Sequence, residues 1–323
     1  HRAVFGQKEF GMMKSKANLF LIGAAKSGTT ALAATLAKHP AIAPLPIKEP
    51  GHFSTDLRTP AFSSQYNRLV QWDEAAYFKK AHLEDRHIGF VDSELNYQKL
   101  VDHAIAKNPD VNYVLDASTS YLYSAKAPAE LRHYAPEGKI VLILRNPIER
   151  AYSHYTMALK YGMEQESPLQ AFKREAALHP AHWGQDECYL ELGQYAKQLQ
   201  RWLECFTLDQ LHIIWYEDFT ANPQKAMDAL MKYLDLPTFV LQNTDQLNVG
   251  AVPKYATLNK WAMRTLGPLR EKLPKSLVYW LKRKTQVAAQ ELDSETRSFL
   301  VEALTEQIEQ LEALTGKDLN HWK

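Results

Sequence analysis

A chain of 323 residues, 46% of them hydrophobic and 23% charged, can bury one large core or two ordinary ones. Its formal net charge of +1 excludes a global pull on nucleic acid or membrane, so any anion must be held by a local device. Two cysteines, Cys188 and Cys205, are too few for a disulfide scaffold and read as free thiols of a reducing, cytoplasmic compartment, with at most one bridge between them. No segment approaches the ~18 consecutive apolar residues of a membrane span. Residues 1–17 lack an initiator Met and a long apolar run, and read as a flexible leader or linker.

In chain order, "NLFLIG" (18–23) is the first buried strand, followed by "AAKSGTT" and a helix over 29–39. "NYVLDA" (112–117) is a second strand, and "PAELRHYAP" a helix before the third, "KIVLILR" (139–145). A helix follows over 147–161, another over 189–205, then the strand "LHIIWYE" (211–217). "NPQKAMDALMKYLDL" closes the series as a helix with Pro223 in its first turn and Leu230 and Leu234 one turn apart. The strands are continuously apolar rather than alternating, as in parallel sheets covered on both faces. Strands alternating with helices predict a three-layer α/β domain, a P-loop-like fold with a central, mostly parallel sheet and C-terminal helical additions. No repeat or low-complexity linker divides 18–323, which reads as a single domain. Within it, 254–284 carries nine Lys or Arg and one acid, Glu271, among Trp261, Leu266, Tyr279 and Trp280. That segment reads as basic helices packed on the core, or as a docking surface for an acidic carrier protein or a membrane headgroup layer.

The first strand delivers a short loop into a helix N-terminus, which is where open α/β sheets bind ligands. Amides of 27–30, the Lys26 ammonium and the hydroxyls of Ser27, Thr29 and Thr30 suit a phosphate. The order Lys26-Ser27-Gly28-Thr29-Thr30 is not that of nucleoside triphosphatases, whose Gly-Lys-Ser/Thr follows a four-residue gap. A second anion element follows the strand at 139–145. Arg145 ends it, and Ser153 lies about two turns into the next helix, where its hydroxyl could share a phosphate with Arg145. Together they read as a bipartite cradle for a nucleotide with phosphates at both ends.

These residues resemble the sulfotransferase family that uses 3′-phosphoadenosine 5′-phosphosulfate (PAPS). "KSGTT" resembles its 5′-phosphosulfate loop, "RNPIERAYSHY" its 3′-phosphate motif, and "KEPGHFS" a segment of its heparan-sulfate-type and bacterial members. The later half, from "LGQYAKQLQRW" to the C-terminal "LNHW", is similar as well, so the resemblance covers roughly 18–323. It implies PAPS as donor, 3′,5′-ADP (PAP) as product, no required metal, and sulfuryl transfer to an acceptor hydroxyl or amine. It further implies that Lys26 neutralises the leaving oxygen, and that Arg145 and Ser153 hold the 3′-phosphate. Glu49, or alternatively His52, would take the acceptor's proton.

Two positions depart from the pattern. Ala117 stands where glycan-modifying members often carry a lysine, leaving Ser118 and Tyr121 to line a pocket. In "NVGAVPKYATLN", Gly250 and Lys254 are not adjacent, so Lys254 is a loose match to the late 3′-phosphate motif. The segment "HLEDRH" (82–87) reads as a solvated charge cluster, and Tyr195 as a helix-core aromatic near the nucleotide. Rival readings are an ATP-dependent kinase on a related scaffold and a non-catalytic nucleotide- or glycan-binding module. The acceptor could be a small molecule, glycan, lipid or carrier-bound acyl chain.

Overall fold

The computed structural model describes residues 16–178, 181–241, 251–253, 286–288 and 292–323. The chain forms two compact units, His1–Asn146 with Gln194–Leu247, and Pro147–Gly193 with Asn248–Lys323. The Lys254 and basic 254–284 expectations lie outside the described residues.

The first unit holds a five-stranded parallel sheet made from β1 (Leu19–Leu21), β2 (Ile42–Pro44), β5 (Tyr113–Asp116), β6 (Lys139–Leu144) and β7 (Leu211–Trp215). A separate parallel pair joins β3 (Ile47–Glu49) to β4 (Arg86–Ile88). The strand order of the main sheet is β2-β5-β1-β6-β7, with every pairing parallel. All four predicted strands overrun their ladders by at most two residues at either end. The fourth stops at Trp215, because the chain turns at once into a helix, Tyr216–Ala221. β1 is central and wholly buried, so an apolar Leu-Phe-Leu is what the site demands. Apolar side chains from β1, β6 and the Thr29–Leu36 helix meet Met227, Leu230, Met231 and Leu234 in the core. The last four belong to the Pro223–Tyr233 helix and its cap, and burying one such side chain contributes about 1.5–3 kcal/mol.

The second unit contains helices Pro147–Tyr161, Pro168–Ala177 and Ser294–Thr315, and a short antiparallel pair, β8 (Ala251–Pro253) with β9 (Gln286–Ala288). Leu300, Leu304, Ile308 and Leu311 recur at helical spacing and form the buried stripe of the longest helix. Asp293 caps it by accepting from the Thr296 amide at 2.9 Å.

The predicted helix over 189–205 is interrupted. A single 3-10 turn at Glu191–Gly193 precedes a helix that runs only from Tyr195 to Leu203. The Glu175 carboxylate accepts from the amides of Tyr189, Leu190 and Glu191, two of them at 2.8 and 3.1 Å, and so draws them out of a helical ladder. Cys188 therefore lies in a loop with φ 55°, and Cys205 just beyond the helix; both thiols are free. Among the described residues no helix is long and apolar enough to cross a membrane.

Candidate functional site

β1 lies between β5 and β6, so its carboxyl end is the point where the sheet's connections diverge to either side. The loop leaving it is tightly held. Leu122 donates its amide to Ile22 O at 2.9 Å and lies so close to Gly23 that a Cβ there would sit 2.8 Å from the Leu122 Cβ. Lys26 takes φ 68° and Gly28 φ 91°, the left-handed region that glycine enters without strain. Any side chain at Gly28 would also meet the Tyr216 ring at 3.1 Å. Beyond it the Thr29–Leu36 helix begins, and among the described residues no acceptor faces the amides of Gly28, Thr29, Thr30 and Ala31. The Ser27 hydroxyl is fully buried and likewise finds no partner there. A buried hydroxyl left this way is costly unless a ligand satisfies it, and the amides of a helix's first turn are open to the same ligand. The positive end of the helix dipole adds to the preference for an anion.

Arg145 is brought to the same loop. Its Nη1 reaches Lys26 O at 3.5 Å, and its guanidinium stacks over Tyr216, 4.9 Å from the ring centroid. Tyr216 thus supports Gly28 with one edge and Arg145 with a face. Tyr195 is buried, as expected of a core aromatic, and donates its hydroxyl to Arg145 O at 3.0 Å. Glu217 accepts from the next amide, Asn146 N, at 3.0 Å.

A second cluster surrounds Glu49 at the end of β3. Its Oε1 pairs with Lys48 Nζ at 2.5 Å, and its Oε2 accepts from the Thr119 hydroxyl at 2.7 Å. His87 Nε2 stands 4.0 Å from Oε1. Burial alone would raise the Glu49 pKa, but Lys48, Thr119 and His87 outweigh it, and the carboxyl is held below its ordinary value of 4.5. His87, in β4, is shifted below its ordinary 6.5 by burial and by the charges of Lys48 and Lys26, against the pull of Glu49. His87 thus feels Lys48 and Glu49 and, more weakly, Lys26, which links the Glu49 cluster to the loop. The stretch read as a solvated charge cluster is largely exposed, as expected, and its last two residues enter β4, where His87 comes within 4.0 Å of the Glu49 carboxylate.

His52 sits otherwise. Its Nδ1 hydrogen-bonds Val91 O at 2.7 Å, and its ring stacks on Tyr97 at 4.3 Å and meets the edge of Phe53 at 4.9 Å. Burial pushes its pKa below 6.5. Next to this aromatic group lies a carboxyl that the sequence did not single out. Asp116, fully buried, accepts from the hydroxyls of Ser118 at 2.7 Å, Tyr121 at 2.7 Å and Tyr97 at 2.9 Å. Burial pushes it up to about 6 despite those three donors. Ser118 also accepts the Gly51 amide at 3.1 Å, fastening the segment after Glu49 to the end of β5. Ser118 and Tyr121, expected to line a pocket, serve here as hydrogen-bonded supports.

Ser153 lies in the second unit, half-buried on the Pro147–Tyr161 helix, where its carbonyl accepts from Thr156 Oγ1 at 3.0 Å. The residues missed by sequence reading, Tyr216, Thr119, His87 and Asp116, share a trait. The first three act through contacts with residues distant in sequence, which no local pattern reveals, and Asp116 joins its neighbours Ser118 and Tyr121 to the distant Tyr97.

A family model described as "Sulfotransferase family" matches residues 18–240, more than half of the chain. The chain is 27% identical over 247 residues to bifunctional heparan sulfate N-deacetylase/N-sulfotransferase 1 of Caenorhabditis briggsae, covering 74% of this chain and 25% of that protein. It is 26% identical over 162 residues to heparan sulfate glucosamine 3-O-sulfotransferase 5 of Mus musculus, covering 49% of this chain and 46% of that protein. The chain spans about a quarter of the length of the N-deacetylase/N-sulfotransferases it matches. Among solved structures, a sulfotransferase from Alicyclobacillus acidocaldarius superposes with a TM-score of 0.69 at 22% identity, covering 95% of this chain and 98% of that one. The shared architecture is the α/β fold with its parallel sheet.

Proposed function

The chain belongs to the sulfotransferase family, and we propose that it transfers a sulfuryl group from PAPS to an acceptor hydroxyl, with 3′,5′-ADP as the second product. The observation that carries this reading is the pairing of two devices around one neighbourhood. One is a loop of unsatisfied amides with Lys26, the buried Ser27 hydroxyl and Arg145; the other is an ionised carboxylate at Glu49. PAPS, when bound, supplies a sulfuryl group attached to a phosphate leaving group. The orphaned donors of the loop fit that phosphate.

The chain's own groups divide the work as follows. Amides of Gly28 to Ala31, with Ser27, Thr29 and Thr30, hold the 5′-phosphate end. Lys26 stabilises the negative charge that develops on the leaving oxygen. Arg145 holds the 3′-phosphate by charge-assisted hydrogen bonds, and Ser153 joins that role on its motif alone. Glu49 takes the acceptor's proton, for which an anchored, ionised carboxylate is suited. His52 is the weaker candidate, since Nδ1 is engaged by Val91 and the ring is packed between aromatics.

The acceptor is one carrying a free hydroxyl, and glycans come first among candidates because the named relatives are heparan sulfate enzymes. A kinase would need a loop that presents its lysine after the glycine, and here Lys26 precedes Gly28. Titration calorimetry distinguishes them: 3′,5′-ADP should bind without Mg²⁺, and Mg²⁺-dependent ATP binding in its place would sink the assignment. A ³⁵S-PAPS transfer screen over glycan, lipid, small-molecule and carrier-bound hydroxyls would then identify the acceptor. Retained transfer in Glu49→Gln would overturn the choice of base.

A further inference from the structure

We propose that His87 is the relay through which Glu49 returns its captured proton to water. This rests on the reading of Glu49 as the base. A carboxylate that takes a proton in each turnover must lose it before the next, and the surroundings of Glu49 define the route by which it leaves. Its side chain is only 19% exposed, with one oxygen held by Thr119 and the other by Lys48. His87 is the group that connects it outward. Its Nε2 is 4.0 Å from Glu49 Oε1, while its own side chain is 58% exposed. That separation is closed by one bridging water or a small ring rotation.

The pairing of strands explains the placement. β3 and β4 run parallel, with Ile47 opposite Arg86 and Glu49 opposite Ile88, which puts His87 alongside Lys48. The charged groups that act on the ring are Glu49 at 4.0 Å and Lys48 from β3, and Lys26 from the loop after β1. Two cations against one carboxylate, together with partial burial, keep the imidazole neutral near pH 7 and able to accept. The relay conserves protons and moves no electrons. Protonated Glu49 gives its proton to Nε2, the imidazolium releases it to solvent, and the neutral ring and the carboxylate are restored. Glu49 touches the acceptor; His87 acts through Glu49 and is a positioning and relay residue.

The first test follows the His87 ring protons by NMR across pH in wild type and Glu49→Gln. Removing the neighbouring negative charge should lower the His87 pKa further, and an unmoved titration would overturn the contact on which the relay depends. The second uses ³⁵S-PAPS with water standing in for the acceptor, in weak buffer, reading released sulfate. His87→Ala and His87→Gln should release sulfate about tenfold more slowly with 3′,5′-ADP binding unchanged. Added imidazole should restore His87→Ala in proportion to its free-base concentration. Wild-type rates in both variants, or a slow His87→Ala that imidazole does not restore, would overturn the relay while Glu49 stands. Sulfate release as fast in Glu49→Gln as in wild type would remove the base itself, and the relay with it.

Discussion

At the scale of single residues, the hydroxyl of Thr119 illustrates how a site is held by groups outside any motif. Its 2.7 Å bond to Glu49 Oε2 fixes the orientation of the carboxylate and helps keep it ionised. Hydrogen bonds to charged groups contribute about 1.5–3 kcal/mol. Thr119→Val should therefore lower kcat at neutral pH by about tenfold or more, with 3′,5′-ADP affinity unchanged by calorimetry. An unaltered kcat would mean that Lys48 alone positions the base. Asp116 poses the opposite electrostatic situation. Its pKa stands near 6 against an ordinary 3.8, so folding favours its protonated form. The stabilising contribution of that form is complete below about pH 4 and is lost as pH rises through about 6, a change of about 3 kcal/mol. Asp116→Asn cannot ionise. Between about pH 4 and 7, urea denaturation should show wild type losing about that much stability relative to the variant. A gap independent of pH would show that folding leaves the Asp116 pKa unshifted.

At the scale of elements, legibility followed locality. β1, β5, β6 and β7 are announced by continuous apolar runs, and the phosphate loop by a residue order confined to a few positions. β2 is three residues ending in Pro44, tolerated because it is an edge strand, and no hydrophobic run announces it. β3 and β4 carry charged residues, Lys48, Glu49, Arg86 and His87, and pair across almost forty positions of sequence. Their register is a tertiary fact, so His87 beside Lys48 is hidden from a local reading, whereas Glu49 stands in a segment that resembles a family motif. The helix Pro223–Tyr233 is the reverse case, where local signals were sufficient. Asn222 accepts from Lys225 N at 3.0 Å, Pro223 opens the first turn, and the apolar face reaches the core as its spacing predicts. Asn222→Ala should cost about 1 kcal/mol in urea denaturation, against about 2–5 kcal/mol for Leu230→Ala in the same helix. Equal losses would mean that the cap fixes more of the chain than its own helix.

At the scale of the whole molecule, the two phosphate motifs of the sequence divide between the compact units. The Lys26 loop and Arg145 belong to the first, and Ser153 to the second. Within the first unit, the connection is already made. Arg145 reaches the carbonyl of Lys26, and both Gly28 and Arg145 rest on Tyr216. On the proposed reading, a donor with phosphates at both ends would engage the loop amides through one and the guanidinium through the other. Selectivity should therefore separate from affinity. Under that proposal the loop would serve any 5′-phosphate, while Arg145 would discriminate nucleotides that carry a 3′-phosphate from those that do not. Arg145→Ala should weaken 3′,5′-ADP binding by about one to two orders of magnitude, as expected for loss of charge-assisted hydrogen bonds. Binding of 5′-ADP, which lacks that group, should change little. Calorimetry with the two nucleotides, at one salt concentration, gives the ratio directly. Collapse of the ratio in Arg145→Ala assigns the 3′-phosphate to this residue. An equal loss for both nucleotides would instead make Arg145 a support of the Lys26 loop, acting through the contacts the two share.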